Sequence, residues 1–260
     1  MKFTLITGAS GGIGEAFARR LAAEKHNLVL AARTEEKLHK LCDELMLQHK
    51  ITAHYVAIDL SEPEADRRLY EETEQHDMQI EWLINNAGFG SMGDFADLDL
   101  QRELKMINLN ISVLIALTHR FLPKMRERGK GTIINVASTA GFQPIPFMAT
   151  YAATKAFVRS FSEAIAEENR PFNIIVTALC PGPTDTNFFD AANAKPLQIK
   201  GMQSPEAVVE TALKAAKSGK ASVISGWTNY IGSVLGTFAP NQLVTRTIGS
   251  VLRPKIEAKK

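Results

Sequence analysis

The chain opens KFTLITGASGGIGEAFARRLA, and this stretch constrains the fold more than any other. Residues 3–6 are apolar and β-branched, the composition of a short buried strand. Gly8, Gly12 and Gly14 follow at once, and residues 15–23 read as a helix with Phe17, Ala18 and Leu21 on one side. A strand, a glycine turn and a helix start together form a phosphate cradle. Glycine lets the backbone approach a pyrophosphate, and the helix N-terminus offers free N–H groups and the positive end of its dipole. The strand before and the helix after distinguish this arrangement from a chance run of glycines.

The alternation continues along the chain. Strands are predicted at 27–32, 52–58, 80–84, 131–136, 173–179 and 221–225. Helices are predicted at 35–49, up to 70, at 100–126, up to 168, and at 205–218. Such a pattern predicts one α/β domain, a doubly wound parallel sheet of about seven strands with helices on both faces. Ligands of these sheets bind beyond the carboxyl ends of the strands, and every motif singled out below falls at such an end.

Two of these motifs carry chemistry. NNAG, residues 85–88, follows the fourth strand, and Ser138 follows the fifth. Thirteen residues beyond Ser138, in ATYAATKAF, Tyr151 and Lys155 stand four apart. On a helix that spacing puts both on one face. A free phenol has a pKa of about 10, and a neighbouring ammonium favours the phenolate. The pair is therefore expected to bring Tyr151 closer to use as an acid or base near neutral pH.

The ordered set of TGxxxGxG, NNAG, Ser138 and YxxxK closely resembles the classical short-chain dehydrogenase/reductase family, from Met1 to about Ser225. The resemblance implies a single-domain Rossmann-type fold and reversible hydride transfer between a nicotinamide cofactor and a carbonyl or alcohol. It implies that Tyr151 is the general acid in reduction and base in oxidation, that Ser138 hydrogen-bonds the substrate oxygen, and that Lys155 also binds the nicotinamide ribose. A further family asparagine lies in the long helix, where its main-chain carbonyl holds a water linked to the lysine. Of Asn108 and Asn110, Asn110 fits the spacing better, although Val113 stands where the family commonly has glycine.

By the same resemblance, Gly8, Ser10, Gly12, Ile13 and Gly14 hold the cofactor's phosphates, Asp59 and Leu60 meet adenine, and Asn86 and Ala87 lie against the adenosine ribose. Pro181, Gly182, Thr184 and Thr186 match a PGxxxT segment that touches the carboxamide. An acid at the end of the second strand holds the ribose 2′-OH of NAD. Here that strand ends Ala31–Ala32 and is followed by Arg33. A guanidinium suits a 2′-phosphate, so NADP(H) is the expected cofactor, with NAD(H) held by Thr34 as the alternative. Gly11 occupies a position where many NADP-preferring relatives carry a basic residue.

The remaining features bound the function. Net charge is +2 across 260 residues, which gives no footprint for nucleic acid. Cys42 and Cys180 make no CxxC, which suits a reducing compartment. No signal segment and no apolar run of membrane-spanning length is read, so a cytoplasmic protein is expected. The six histidines show no metal-ligand spacing, and no metal is expected. Loops carrying Phe89, Met92, Phe142, Pro144, Phe147, Pro183, Phe188 and Phe189 suggest a pocket for an uncharged or hydrophobic carbonyl or a 3-oxoacyl compound, with residues 186–204 as a lid.

Residues 1–226 are read as the domain and 227–260 as a C-terminal extension, adopted here as a surface helix pair. Its alternatives are a partner-subunit contact, a pocket cover or a membrane-surface element. The expected partners are a small-molecule carbonyl or alcohol and a second copy of the chain, as a homodimer or homotetramer. The competing functions are a non-catalytic NADP(H) sensor and a nucleotide-sugar epimerase. The second lacks its TGxxGxxG spacing here.

Overall fold

A computed structural model describes residues 1–192, 194 and 202–257. Seven strands form one sheet: β1 Lys2–Thr7, β2 Asn27–Ala32, β3 Ala53–Ala57, β4 Gln79–Asn85, β5 Gly131–Val136, β6 Ile174–Cys180 and β7 Ser222–Ile224. Their order is β3-β2-β1-β4-β5-β6-β7, and every neighbouring pair is parallel. The winding reverses between β1 and β4, and this switch point is where such sheets open a crevice for ligands.

Helices cover both faces. Before β4 come α1 Gly12–Ala23, α2 Glu35–His49 and α3 Ala65–Gln75. Then come α4 Leu100–Ile107, α5 Leu114–Glu127, α6 Ala149–Asn169, the short α7 Phe188–Ala191 and α8 Pro205–Lys217. The chain continues into α9 Trp227–Phe238 and α10 Asn241–Glu257. Alternating strand residues explain the two layers. Leu28 and Leu30 of β2 face a core built with Phe17, Leu21, Leu38, Leu45, Val208 and Leu213. Val29 and Ala31 face the opposite core with Leu69, Leu117, Phe121 and Ile165. A strand buried on both faces must be apolar throughout, which is why these read as continuous runs rather than alternating ones.

α4 and α5 belong to one long helix interrupted by a π-helical turn at Asn108–Val113. The whole helix, Leu100–Glu127, has 28 residues and a mean hydropathy of 1.2 over its most apolar window, enough by length and composition to cross a membrane. It is a core helix, with Val113, Leu117, Phe121 and Met125 packed under the sheet.

The C-terminal segment differs from a plain surface helix pair. Leu252 and Ile256 of α10 are buried in a cluster with Met92, Met106, Met148, Tyr151 and Phe189. Each such burial contributes about 1.5–3 kcal/mol, which anchors α10 over the loops beyond β4 and β5. α9 packs on the turn Thr139–Phe142 and on β7. It carries no charged residue and leaves Trp227, Leu235 and Phe238 exposed.

Candidate active site

The glycine turn is fixed from two directions. The Gly8 N–H donates to the Ala31 carbonyl at 2.8 Å, tying β1 to β2. A Cβ on Gly14 would lie 2.2 Å from the Gly8 carbonyl oxygen, a distance no side chain tolerates. The turn and α1 therefore approach as closely as backbones can. One added at Gly12 would lie 3.0 Å from the Thr186 methyl, so the segment after β6 closes over the same turn. Ser10 and Ile13 lie on it, both partly buried.

Thr7, the last residue of β1, joins this turn to the segment after β4. Its hydroxyl oxygen accepts from the N–H groups of both Asn86 and Ala87 at 3.0 Å. Asn86 returns the contact, its side-chain amide donating to the Thr7 carbonyl at 2.9 Å and the Gly8 carbonyl at 3.2 Å. Thr7 was present in the TG of the motif but was not singled out as a site residue. Its signal is a hydroxyl at the tip of a buried strand.

Arg33 and Thr34 are exposed at the end of β2. Asp59 lies near Arg33 after β3. Partial burial raises its pKa, but two hydrogen bonds from Ser61 with the charges of Arg33 and Lys105 outweigh that and hold it below the usual range. Both bonds go to one carboxylate oxygen, from the Ser61 N–H at 2.9 Å and its hydroxyl at 2.7 Å. Leu60 is buried in the core with Ala65 and Leu69, so any ligand contact there falls to its backbone.

Ser138, Tyr151 and Lys155 come together, all buried. Ser138 caps the turn after β5 by accepting from the Ala140 N–H at 3.1 Å, donates to the Pro181 carbonyl at 3.5 Å, and lies beside the Tyr151 phenol. Lys155 Nζ lies 5.8 Å from the Tyr151 ring centroid and donates to the Val136 carbonyl at 2.7 Å. The expected lowering of the phenol by the lysine is not what this geometry gives. Burial pushes Tyr151 up to about 12, with the Ser138 bond opposing. Burial also pulls Lys155 down to about 8. Desolvation disfavours the charged form of both groups.

The π-helical turn carries Asn110. Its amide clamps the backbone of Phe89, accepting from that N–H at 3.1 Å and donating to that carbonyl at 3.0 Å. It also donates to the Thr154 hydroxyl at 3.1 Å, and Thr154 in turn donates to the Tyr151 carbonyl at 2.8 Å. Asn110 thus links the segment after β4 to the turn of α6 that bears Tyr151. Asn108 points elsewhere, donating to the Ser61 carbonyl. A Cβ on Gly88 would lie 2.8 Å from Asn110 Oδ1 and 3.7 Å from Lys155 Nζ, so NNAG closes against the same group. Beneath it runs a buried polar chain that the sequence did not reveal. The Asn85 amide donates to Thr118 and Asn135, and Asn135 donates to Ser162.

After β6, the Pro181 carbonyl accepts from the Thr139 N–H at 2.9 Å. Thr184 is buried and donates to the Gly182 carbonyl, while Thr186 accepts from the Phe188 N–H at the start of α7. Gly182 faces Asn229 of α9, whose side chain would lie 2.2 Å from an added Cβ. The C-terminal segment therefore braces the PGxxxT loop.

The substrate side is apolar. Tyr151 and Phe188 have ring centroids 5.3 Å apart, and Phe89, Phe147 and Ile248 pack against the same cluster. Phe142 does not join them. It packs with Leu114, Ala137 and Val158, and the Arg159 guanidinium stacks 4.3 Å from its ring centroid. Pro144 is exposed and Pro183 partly buried. Arg102, 5.0 Å from the Phe89 ring centroid, brings a cation nearer than expected. The expected lid at 186–204 lies partly outside the described residues. No cluster of metal-ligating side chains occurs among the described residues.

Comparison with known proteins agrees with this geometry. A match to the short chain dehydrogenase family covers residues 2–197. The human very-long-chain 3-oxoacyl-CoA reductase is 33% identical over 218 residues, 82% of this chain and 68% of that protein. The 7beta-hydroxysteroid dehydrogenase of Mediterraneibacter gnavus is 33% identical over 231 residues, 86% of each. Among solved structures, a short-chain dehydrogenase from Sphingobium yanoikuyae in complex with NADPH superposes with a TM-score of 0.82 at 30% identity, covering 92% of this chain and 95% of that one. With the match spanning the glycine turn, NNAG, Ser138, Tyr151 and Lys155, the chain belongs to the short-chain dehydrogenase family.

Proposed function

We propose that this protein is an NADP(H)-dependent oxidoreductase that interconverts a hydrophobic carbonyl compound and its alcohol. The observation that carries the reading is the convergence of Ser138, Tyr151 and Lys155 near the segment after β4, whose Gly88 and Gly90 lie against Lys155 and Tyr151 and whose Asn86 holds the glycine turn. The cradle fits a dinucleotide, because Gly14 lets the start of α1 close directly on the turn and nothing lies within 4 Å of a Cβ added at Gly11. Gly8, Ser10, Gly12, Ile13 and Gly14 would hold the phosphates. Asp59, Leu60, Asn86 and Ala87 would hold the adenosine, and Pro181, Gly182, Thr184 and Thr186 the carboxamide. The exposed Arg33 suits a 2′-phosphate. When bound, the cofactor supplies or accepts the hydride.

The protein's own part is proton transfer and orientation. Tyr151 holds its proton at neutral pH, since burial raises its pKa to about 12. It is therefore set to donate that proton to a carbonyl oxygen as charge develops there. Ser138 donates a hydrogen bond to the same oxygen, stabilising that charge. Lys155 orients the cofactor ribose and supports return of the proton to Tyr151. Asn110 keeps the segment after β4 and the turn bearing Tyr151 in register. The apolar cluster of Met92, Met148, Phe188 and Phe189 supports a substrate without charge at the reacting end. It is consistent with the oxoacyl and steroid substrates named for the relatives above.

Residues 1–226 serve as the catalytic body, and 227–260 as an extension covering its substrate side. Apolar side chains left exposed on α4 and α6, Leu100, Leu104, Ile107 and Phe157, support pairing of two copies through these helices, as a homodimer or homotetramer. The free thiols of Cys42 and Cys180 suit the cytoplasm. The test is Tyr151→Phe against a panel of aldehydes, ketones and 3-oxoacyl thioesters. Turnover falls by at least about a hundredfold, while NADPH binding followed by fluorescence is retained. Undiminished turnover in that variant refutes the assignment.

A further inference from the structure

α10 presents two different faces. Ile248, Leu252 and Ile256 pack toward Tyr151. Beside them, Arg246 and Arg253 stand seven residues apart, two helical turns or about 10 Å along the axis. With Phe147, Pro146, Gly249 and Ser250 they border a cavity of about 340 Å³. That volume is at the lower end of ligand-sized pockets, enough for a headgroup.

Three observations give this cavity its chemistry. Neither guanidinium has an acceptor among the described residues, whereas Arg19, Arg20, Arg67, Arg120 and Arg170 all pair with carboxylates. The hydroxyl protons of the cavity are engaged elsewhere, Thr245 donating to the Asn241 carbonyl and Ser250 to the Thr247 carbonyl. The cavity's available donors are therefore the two cations. The charge is also segregated. Residues 227–260 hold five basic side chains and one acidic, so the rest of a chain of net charge +2 is net negative by two.

Phe147 connects the cavity to the reacting centre. Its ring lines the cavity and also packs against the cluster that surrounds Tyr151. Its backbone has φ +64°, an unfavourable conformation for an aromatic residue, stabilised by the Gly93 N–H donating to its carbonyl at 2.9 Å.

We infer that the cavity between Arg246 and Arg253 binds the anionic end, a carboxylate or phosphate, of an elongated substrate whose apolar part passes beneath α10 to Tyr151. This rests on the reductase reading above and names the substrate class, an anionic amphiphile carrying a carbonyl distant from its charge.

The test compares the parent protein with an Arg246→Gln/Arg253→Gln variant on three ketones of equal chain length. These are a medium-chain methyl ketone, the same chain ending in a carboxylate, and the same chain ending in a phosphate. In the parent, one or both anionic ketones have the lower KM, and which one it is identifies the headgroup. In the variant, the KM for the preferred anion rises by about tenfold or more, the worth of a lost charged hydrogen bond, with kcat and the neutral ketone's KM little changed. Equal changes for charged and neutral ketones, or none, overturn the proposal.

A second readout does not depend on turnover. Calorimetric binding of the corresponding alkyl carboxylate and alkyl phosphate to NADP-saturated protein is lost in the variant if the proposal holds, and is unaltered if it does not. Absence of turnover with all three ketones would count against the reductase reading alone. Loss of binding to phosphatidylserine vesicles, with no split between the soluble ketones, would assign the arginines to a lipid surface and overturn the proposal.

Discussion

Replacing Thr7 by valine separates the shape of this residue from its hydrogen bonding. Valine matches threonine in volume and is a good strand former, so packing and propensity alone predict a neutral or slightly stabilising change. The geometry predicts the opposite. The Thr7 oxygen is the acceptor for two N–H groups, those of Asn86 and Ala87, each at 3.0 Å, and its own proton goes to the Ile84 carbonyl at 3.3 Å. Thr7 is only 2% exposed, so water has little access to replace the lost oxygen. The Asn86 N–H keeps the Ile84 carbonyl at 3.1 Å, so the Ala87 N–H is the donor left without a partner, at a cost of about 1–3 kcal/mol. For a domain of this size that corresponds to a fall in Tm of roughly 2–12 °C. Urea denaturation should show a lower midpoint with an unchanged slope. Binding of NADPH should weaken as well, because Asn86 and the glycine turn lose their common anchor. Thr7→Ser is the control, since it keeps the oxygen and loses a methyl worth about 0.8 kcal/mol. If the valine variant proves as stable as the serine variant, the hydroxyl is not what joins β1 to β4, and the reasoning fails.

The other predictions concern the cofactor, the lysine and the glycine turn. Arg33→Asp should reduce the preference for NADPH over NADH by about tenfold or more, read as the ratio of kcat/KM for the two cofactors; an unchanged ratio would remove Arg33 from the 2′-phosphate site. Lys155 is held at about 8 against an ordinary 10.5 by burial, so between those values the unfolded chain carries a proton that the folded chain has released. Stability should therefore climb with pH across that window, and the climb should be missing in Lys155→Met when the two denaturation series are subtracted. Gly14→Ala should destabilise by about 1–3 kcal/mol and abolish tight NADPH binding, measured by denaturation and fluorescence titration, because its methyl would meet the Gly8 carbonyl.

The parts of this protein that were legible in the sequence are those set by local chemistry. Leu28 to Ala32 read as a strand because both faces of that strand are buried, and Gly8, Gly12 and Gly14 marked a turn because nothing larger fits. The clustering of motifs at strand ends followed from the alternation alone. What stayed hidden depends on contacts made across the fold. The π-helical turn around Asn110 leaves no period in NLNISV. It is sustained by bonds to Phe89 and Thr154, residues distant in sequence. Tyr151 and Lys155 lie close together, as a four-residue spacing on a helix requires, whereas the burial that raises the tyrosine leaves no mark in that spacing. Ile248, Leu252 and Ile256 show helical spacing, but spacing does not say what a face will cover.

The position of α10 also gives the site an order of assembly. The glycine turn is braced by bonds among Thr7, Gly8, Asn86 and Ala87, all synthesised well before α10. The wall around Tyr151 takes in Leu252 and Ile256 of α10, which are made much later. A growing or C-terminally clipped chain therefore holds the elements of a nucleotide cradle before it can shield its tyrosine from water. The reaction chamber closes only once α10 has been made, and a protease that removes α10 would reopen it.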